Sequence, residues 1–395
     1  MDYSSDWVLS LNNEFVSRNQ RKPHFISDWD ISNTLAQFPN TMIEQSLLRS
    51  QKSSFNYLFA DEQVENKLQM VELFKANGVH IDIGKITMNS SATASLYLSL
   101  LSLSKRGIKR FLVFTPVYYT ILDTLRDLNT SIIYFPLYDS NEFKVDLAQI
   151  EEIVSTQEID AIVFSDPIYS GGIEISENIF EFLAELSAKR GTWILCDQTL
   201  GGLEWRNVSF SQIAYSKISA LLKTERFIFI DSISKRLLVN GLKISVVISS
   251  PDMILEIENL ASQVCGGFNS AQMEFLKELY SPSNSAELSE IMRKNVAVMK
   301  DNHQKLSSVL SNTQYGIYEA NSGYFTMIRH NEYKLEELDT KQIITKFLWE
   351  EELLAFPSSN FSFHKQNRFA FRVNVMIDLD PMILALENCI RKNVK

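Results

Sequence analysis

The chain has 395 residues, 45% of them hydrophobic and 22% charged, and a formal net charge of −10 at pH 7. This composition is typical of a folded globular protein of about two domains, and the acidic balance argues against a nucleic-acid-binding protein. No apolar stretch approaches the ~18 residues of a membrane span. The 3 cysteines and 5 histidines are scattered without metal-ligand spacing, so we expect a cytoplasmic protein without a metal site.

The chain begins with a predicted arm and a predicted helix. Residues 1–50 are polar, and Pro23 and Pro39 interrupt any long element. We therefore expect an irregular arm that packs on a neighbouring element or on a partner chain; the alternative is a loose arm. Residues 62–77 have the apolar spacing of a helix.

An alternation of strands and helices begins at about residue 86. Short apolar runs typical of buried strands recur, and these runs are 111–114, 132–135, 161–164, 193–196, 227–230 and 244–248. Because helical segments separate most of them, they predict a largely parallel sheet with helices on both faces. After about residue 280 a long amphipathic helix, short strands near 323–328 and 369–373, and a helix near 340–354 predict a smaller α+β domain. The predicted units are the arm (1–50), a large α/β domain (51–275) and a small C-terminal domain (276–395).

Lys235 stands at the exit of a predicted strand. The apolar run 227–230 is followed by Ser232 and Ser234 and then by this lysine. Burial at such a position disfavours the ammonium form and leaves a nucleophilic amine, which suits Schiff-base chemistry. Hydroxyls and a second cation, here Lys243, are what a phosphate group needs. The alternative is an ordinary surface lysine that follows a strand.

Polar or aromatic residues also follow other predicted strands, where parallel sheets bind their ligands. The segment 91–93, Ser-Ala-Thr, opens a helix. Backbone N–H groups at a helix N-terminus bind anions, although an ordinary helix cap would have the same composition. Tyr118 follows the next strand and is either a stacking ring or a core tyrosine. Asp197 ends a further strand, where a lone buried carboxylate is costly unless it is paired.

Together these motifs resemble those of the pyridoxal-phosphate-dependent aminotransferases of class I and II, which have fold type I. The Ser-Ala-Thr loop, Tyr118, Asp197 and the Ser-x-Ser-Lys segment 232–235 occur in the family's order, followed by Phe-Arg-Val-Asn at 371–374. The resemblance implies a large cofactor-binding domain whose mostly parallel mixed sheet lies between helices, a smaller α+β C-terminal domain, and a homodimer. It also implies pyridoxal 5′-phosphate as the cofactor and an α-amino acid as the substrate.

The resemblance further implies a role for each matching residue. Lys235 would form the Schiff base and move the Cα proton, Asp197 would hold the pyridinium nitrogen, and Tyr118 would stack on the ring. Arg372, with Arg368 as the competing candidate, would bind the substrate carboxylate. The phosphate would be surrounded by Ser91, Ala92, Thr93, Ser232, Ser234 and Lys243.

The chain also departs from the family pattern. Tyr169, in the turn 165–172, stands where an asparagine normally donates to the phenolic oxygen of the cofactor, and Leu200 stands where a tyrosine does. We count Tyr169 among the cofactor-binding residues. Lys243 replaces an arginine of the phosphate site, and Tyr57 resembles a tyrosine that reaches the neighbouring subunit's phosphate. The resemblance implies transamination as the reaction. The departures from the family pattern favour an alternative, the elimination, replacement or cyclisation of an amino acid. A non-catalytic binding protein with the same fold is the third alternative.

Overall fold

The computed structural model describes residues 6–53, 58–59, 62–76, 78–137, 145–205, 215–311, 313–331, 340–358 and 369–393. Tyr57 and Arg368, both singled out in the sequence, lie outside the described residues. Within the described ranges, no helix combines the length and the apolarity needed to cross a membrane.

The elements alternate along the chain much as the apolar runs predict. The helices are α1 (Asp6–Asn19), α2 (Asn40–Ser53), α3 (Val64–Ala76), α4 (Ala92–Lys105), α5 (Tyr119–Asp127), α6 (Leu147–Thr156), α7 (Glu177–Arg190), α8 (Tyr215–Leu221), α9 (Ile233–Arg236), α10 (Pro251–Val264), α11 (Ser270–Leu279), α12 (Ser285–Leu310), α13 (Thr340–Glu351) and α14 (Asp380–Asn393). The strands are β1 (His24–Phe25), β2 (Ile86–Asn89), β3 (Arg110–Thr115), β4 (Ser131–Pro136), β5 (Ala161–Ser165), β6 (Trp193–Gln198), β7 (Phe227–Asp231), β8 (Ser245–Ser249), β9 (Tyr315–Ile317), β10 (Phe325–His330), β11 (Leu353–Leu354) and β12 (Ala370–Asn374).

The central sheet has seven strands in the order β2, β8, β7, β6, β5, β3 and β4. The pairs from β7 to β4 are parallel, whereas β8 runs antiparallel to both of its neighbours. Every residue of β5, β6 and β7 is buried, as expected for strands that are covered by helices on both faces. The predicted α/β class, with a mostly parallel mixed sheet, is therefore confirmed.

Strand β3 shows how both faces of this sheet are packed. Phe111 and Val113 join a buried cluster with residues of α4, α5 and α10. Leu112 and Phe114 join another cluster, which includes Phe180 of α7. Because successive side chains of a strand point to opposite faces, the apolar run at 111–114 contributes to both cores.

The register of the parallel strands aligns their carboxyl ends. Ser165 at the end of β5 lies beside Asp197 of β6, and Asp197 lies beside Ile230 of β7. The residues that follow these strands therefore meet at one edge of the sheet, which is where an open α/β sheet binds its ligands.

The C-terminal part of the chain builds a three-stranded antiparallel sheet in the order β12, β10 and β9. It packs with α12, α13 and α14 in a separate cluster of buried side chains. Helix α13 ends at Glu351, before the predicted end at 354, because Leu353 and Leu354 instead form β11. The division of the chain at 275 and 276 stays a prediction.

The prediction that residues 1–50 are irregular is wrong for the described residues 6–50, whereas the boundary of the arm at residue 50 stays a prediction. This segment contains α1 and most of α2, each of 14 residues. Pro23 follows α1 and Pro39 immediately precedes α2, so neither proline interrupts a helix. Val8 and Phe15, seven residues apart on α1, are buried in the C-terminal cluster, and that apolar face is what holds the helix in place.

Candidate active site

A cavity of about 380 Å³ opens at the carboxyl ends of β5, β6 and β7, beside the N-terminus of α4. It brings together residues that are far apart in the chain. Ten of the predicted site residues line it: Ser91, Ala92, Thr93, Tyr118, Tyr169, Asp197, Ser232, Ser234, Lys235 and Lys243. Its wall also contains residues that the sequence analysis did not single out, among them Trp29, Asp30, Thr199 and Asn240.

Asp197 is a buried carboxylate near the end of β6. Its Oδ1 accepts hydrogen bonds from the backbone N–H of Thr199 at 3.1 Å and from the Thr199 hydroxyl. The hydroxyl of Ser165 donates to Oδ2 at 3.5 Å. Burial raises the pKa of Asp197, and these hydrogen bonds oppose that effect. Among the described residues no cationic side chain pairs with Asp197, so the carboxylate suits a ligand that brings a positive N–H group.

Lys235 lies in the short helix α9, directly after β7. Burial lowers the pKa of its ammonium group to about 7, and repulsion from the cations Lys243 and Arg372 acts in the same direction. Its Nζ lies 4.1 Å from the ring centroid of Trp29. A lysine with so low a pKa has a large neutral fraction near neutral pH and is a competent nucleophile.

The N-terminus of α4 and two serines form a polar end of the cavity. Ser91 is the N-cap of α4, and its Oγ accepts a hydrogen bond from the backbone N–H of Ala94 at 3.0 Å. The hydroxyls of Ser232 and Ser234 lie 3.1 Å apart, and Ser232 donates to the carbonyl of Ile244 at 3.1 Å. Ser91 is thus a helix cap, which is one of the two interpretations of this segment. The cap also lines the cavity, where the positive end of the helix dipole favours an anion.

Arg372 lies beside the cavity on β12 and is only 1% exposed. Its Nη1 donates to the hydroxyl of Tyr169 at 3.0 Å, and its Nη2 donates to the carbonyl of Ser27 at 2.5 Å. The guanidinium carbon lies 4.1 Å from the ring centroid of Phe325. Arg372 is therefore held in place through Tyr169, which stands in the cavity wall.

Aromatic rings enclose the remaining side of the cavity. The ring of Tyr118 lies 5.6 Å from that of Tyr169 and 6.3 Å from the indole of Trp29. The side-chain amide of Asn240 donates to the carbonyl of Trp29 at 2.7 Å and fixes the backbone there. Sequence reasoning missed Trp29 because it lies in the polar segment 1–50, and its one local signal is an aromatic residue between two aspartates.

A buried charge network supports the loop that carries Tyr169. Nζ of Lys217 lies 2.7 Å from Oδ2 of Asp166 and 3.4 Å from a carboxylate oxygen of Glu174. The amide of Gln198 also donates to Asp166 at 3.1 Å, and the backbone N–H of Ile175 donates to its Oδ1 at 2.8 Å. Burial favours the neutral amine of Lys217, but Asp166 and Glu174 outweigh it and raise the pKa of this lysine. No local pattern marks Lys217, because α8 is short and the carboxylates that pair with this lysine lie in other loops.

The family follows from a comparison over most of the chain. Residues 28–382 match the family model described as aminotransferase class I and II. The chain belongs to this family. Class I and II aminotransferases are pyridoxal-phosphate-dependent transferases, so the protein is an enzyme of that type.

Individual relatives of this aminotransferase are distant. A probable aspartate/prephenate aminotransferase of Aquifex aeolicus is 23% identical over 221 residues, which are 56% of this chain and 55% of that protein. The chain thus aligns with about half the length of this curated relative. An Escherichia coli protein with a methionine aminotransferase function has a TM-score of 0.79 at 14% identity, covering 97% of this chain and 96% of its own. A Thermus thermophilus aspartate aminotransferase double mutant has a TM-score of 0.80 at 14% identity, covering 99% and 97%. These likenesses confirm the aminotransferase fold.

The cavity of this aminotransferase fits pyridoxal 5′-phosphate. The buried carboxylate of Asp197 has hydrogen-bond donors but no described cationic partner, which suits a protonated ring nitrogen. Ser91, Ser232 and the N-terminus of α4 offer hydroxyl and amide groups for a phosphate. Lys235 lines the same cavity and would supply the amine for the cofactor's aldehyde.

Proposed function

We propose that the protein transfers the amino group of an α-amino acid, with Lys235 as the lysine that holds pyridoxal 5′-phosphate through a Schiff base. The observation that carries the proposal is the joint position of Asp197, Lys235 and the N-terminus of α4 around one cavity. When bound, the cofactor supplies an electron sink for bond breaking at the substrate α-carbon. The protein supplies orientation, charge and proton transfer.

Each side chain of the site has a separate task in this proposal. The carboxylate of Asp197 accepts a hydrogen bond from the ring nitrogen and stabilises its protonated form. The amine of Lys235 takes the proton from the α-carbon and returns it. Tyr118 stacks on the ring, and Arg372 holds the α-carboxylate through its planar guanidinium. The phosphate is bound by Ser91, Ala92, Thr93, Ser232, Ser234 and Lys243.

The position of Tyr169 favours transamination over elimination, replacement or cyclisation. The sequence lacks both usual donors to the phenolic oxygen of the cofactor, and that absence favoured the specialised reactions. Tyr169 nevertheless lines the cavity, and its hydroxyl accepts a hydrogen bond from Arg372, which leaves its own proton to donate. The chain therefore keeps a hydrogen-bond donor on this side of the cavity.

Two experiments test the proposal. Borohydride reduction of the protein loaded with pyridoxal phosphate, followed by peptide mapping, should place the pyridoxyl group on Lys235. The buried Lys217 serves as an internal control, and labelling of Lys217 or Lys243 instead would reject the assignment.

In a single-turnover mixture with an amino acid panel and no keto acid, pyridoxamine phosphate should accumulate in proportion to enzyme. Product formed over many turnovers, with the cofactor unchanged in form, would show elimination or cyclisation instead.

We also propose that the protein forms a homodimer. Helices α2, α3 and α10 each expose two large apolar side chains, which are Leu47, Leu48, Val64, Leu68, Leu255 and Val264. Such side chains mark a surface for association when they form a patch. Sedimentation equilibrium should give twice the chain mass, and a Leu48→Glu/Leu255→Glu variant should shift the protein towards the monomer.

We propose a cytoplasmic location. The thiols of Cys196 and Cys265 are free, which agrees with a reducing compartment such as the cytoplasm.

A further inference from the structure

The indole of Trp29 lies between the two cations that an amino acid would have to reach. Its ring centroid is 4.1 Å from Nζ of Lys235 and 5.2 Å from the guanidinium carbon of Arg372. In the proposed function, Lys235 works at the α-carbon and Arg372 binds the α-carboxylate. The space between these two groups is therefore the place of the substrate, and Trp29 stands there.

Arg372 is screened from the cavity as a consequence. Trp29 is among the residues that line the cavity and is half-buried, whereas Arg372 is only 1% exposed and is not in the cavity wall as described. Phe325 and Phe356 also cover the guanidinium, with ring centroids 4.1 Å and 5.4 Å from its carbon. A carboxylate in the cavity would meet the indole before it met Arg372.

The backbone around Trp29 is fixed, so a change at this position involves the side chain. The amide of Asn240 donates to the carbonyl of Trp29 at 2.7 Å. The amide of Asn374, two residues from Arg372, donates to the carbonyls of Asp28 and Asp30 at 3.0 and 2.8 Å. These bonds hold both sides of Trp29, and rotation of its indole leaves all of them intact.

We propose that Trp29 is a gate over Arg372, and that an α-carboxylate must turn the indole aside before it can bind there. The proposal rests on the proposed function for the role of Arg372. A carboxylate can displace the indole because a bidentate pair with arginine is stronger than a contact between a cation and an aromatic ring. A ligand without a carboxylate makes no such pair and leaves the gate closed. Trp29 thereby selects substrates by the presence of the α-carboxylate.

The test uses propionate, which has a carboxylate but no amino group to transfer. The protein loaded with pyridoxal phosphate is titrated with propionate while tryptophan fluorescence and the heat of binding are followed. The wild type should show a saturable fluorescence change, and Trp29→Phe should lose that change. The matched control is Trp349→Phe, because this half-exposed residue packs on Phe15 of α1, away from the cavity. It should keep the change.

The affinity of Trp29→Ala for propionate distinguishes an indole that blocks Arg372 from one that only packs on the bound ligand. Removal of the indole removes a contact that must be broken, so the Kd of propionate should fall about three- to tenfold, as expected for one cation–π contact. If the indole only packs on the bound ligand, the Kd will rise or stay unchanged, and the proposal is wrong. It is also wrong if the wild type gives no fluorescence response, or if Trp29→Phe keeps it. If Trp29→Ala fails to fold, Trp29→Leu keeps the apolar bulk without the aromatic ring, and the same fall in the Kd of propionate is expected for it.

The proposed function fails by a different measurement. A protein that shows the Trp29-dependent response to propionate but forms no pyridoxamine phosphate in a single turnover keeps the gate and loses the transamination. A protein that transaminates while Trp29→Ala binds propionate more weakly keeps the function and loses the gate.

Discussion

The hydroxyl of Tyr169 accepts a hydrogen bond from Nη1 of Arg372 at 3.0 Å. This contact joins the loop after β5 to strand β12, and it orients a hydroxyl that has one proton to donate. Because Tyr169 also lines the cavity, the contact links the group proposed to bind the substrate carboxylate with the group proposed to face the cofactor's phenolic oxygen.

Tyr169→Phe should raise the pKa of the Schiff-base nitrogen that joins Lys235 to the cofactor. A hydrogen-bond donor to the cofactor's phenolic oxygen stabilises the charged oxygen and so weakens the hold of that oxygen on the Schiff-base proton. Loss of the donor therefore strengthens that hold and raises the pKa. The measurement is a spectrophotometric pH titration of the loaded protein. Leu200→Tyr is the matched variant, because it restores a tyrosine where the family has one and should lower the same pKa. An unchanged pKa in both variants would show that neither side chain reaches the cofactor.

Lys235 should react with pyridoxal phosphate as an amine that is already half neutral near pH 7. Burial, Lys243 and Arg372 lower its pKa to about 7, so the rate of attachment should rise through pH 7 and level off above it. An ordinary lysine, with a pKa of about 10.4, would keep gaining reactivity well beyond that pH. The measurement is the rate of the cofactor's absorbance change in protein freed of cofactor.

The repulsion from Lys243 can be tested in the same assay. Lys243→Gln removes one of the two cations that lower the pKa of Lys235, so the midpoint of the rate profile should move to higher pH. Lys300→Gln, an exposed position on α12, is the control and should leave the profile in place. A midpoint that stays at pH 7 in Lys243→Gln would show that burial and Arg372 set the pKa of Lys235 without Lys243.

The ion pair of Lys217 with Asp166 predicts a stability effect. Their side chains are 4% and 1% exposed, so Lys217→Met leaves a buried carboxylate without its cation and should lower the free energy of unfolding by about 3–5 kcal/mol. Asp166→Asn combined with Lys217→Met should recover most of that loss, because an asparagine carries no charge and still accepts from Ile175. Urea unfolding of the two variants measures the difference. If the single and the double variant lose the same free energy of unfolding, the unpaired carboxylate of Asp166 is not the cause of the loss.

Local patterns explain why much of the fold could be predicted from the sequence. The runs at 161–164, 193–196 and 227–230 are apolar throughout, which marks strands buried on both faces, and parallel pairing then brings their carboxyl ends together. Asp197 and Lys235 stand at such ends, so their approach to one cavity follows from the class of fold.

Other features depend on contacts that no local pattern records. Pro23 and Pro39 predict interruptions when the local sequence is considered alone, yet each lies outside a helix: Pro23 follows α1 and Pro39 precedes α2. Trp29 lies beside Lys235 and Arg372, and the backbone around it is held there by hydrogen bonds from Asn240 and Asn374, which are distant in the chain. Lys217 finds Asp166 in the same way, through the packing of α8 on α7. Tertiary packing sets these contacts, and local patterns in a single sequence do not show which distant residues will pack together.

Asp197 should make the protein without cofactor sensitive to pH, in a direction that the geometry sets. Burial raises the pKa of this carboxyl above its value in the unfolded chain. The stability contributed by its protonated form is therefore fully present below the unfolded pKa and is lost as the pH rises through the folded pKa. Above that range the folded protein holds a buried carboxylate with hydrogen bonds from Thr199 and Ser165 but no described cationic partner.

Asp197→Asn removes that charge while keeping an oxygen that can accept from Thr199. Without cofactor, the variant should be more stable than the wild type at pH 7 by about 1–3 kcal/mol, the cost of leaving a buried polar group incompletely paired. The difference should shrink as the pH falls towards the ordinary range of an aspartate. With pyridoxal phosphate the order should reverse, because the wild-type carboxylate then gains a cationic N–H, and any ligand that binds the folded state stabilises it by mass action. Thermal unfolding of both proteins with and without cofactor measures all four states. A variant that is less stable than the wild type without cofactor would show that Asp197 is held by the protein for its own packing.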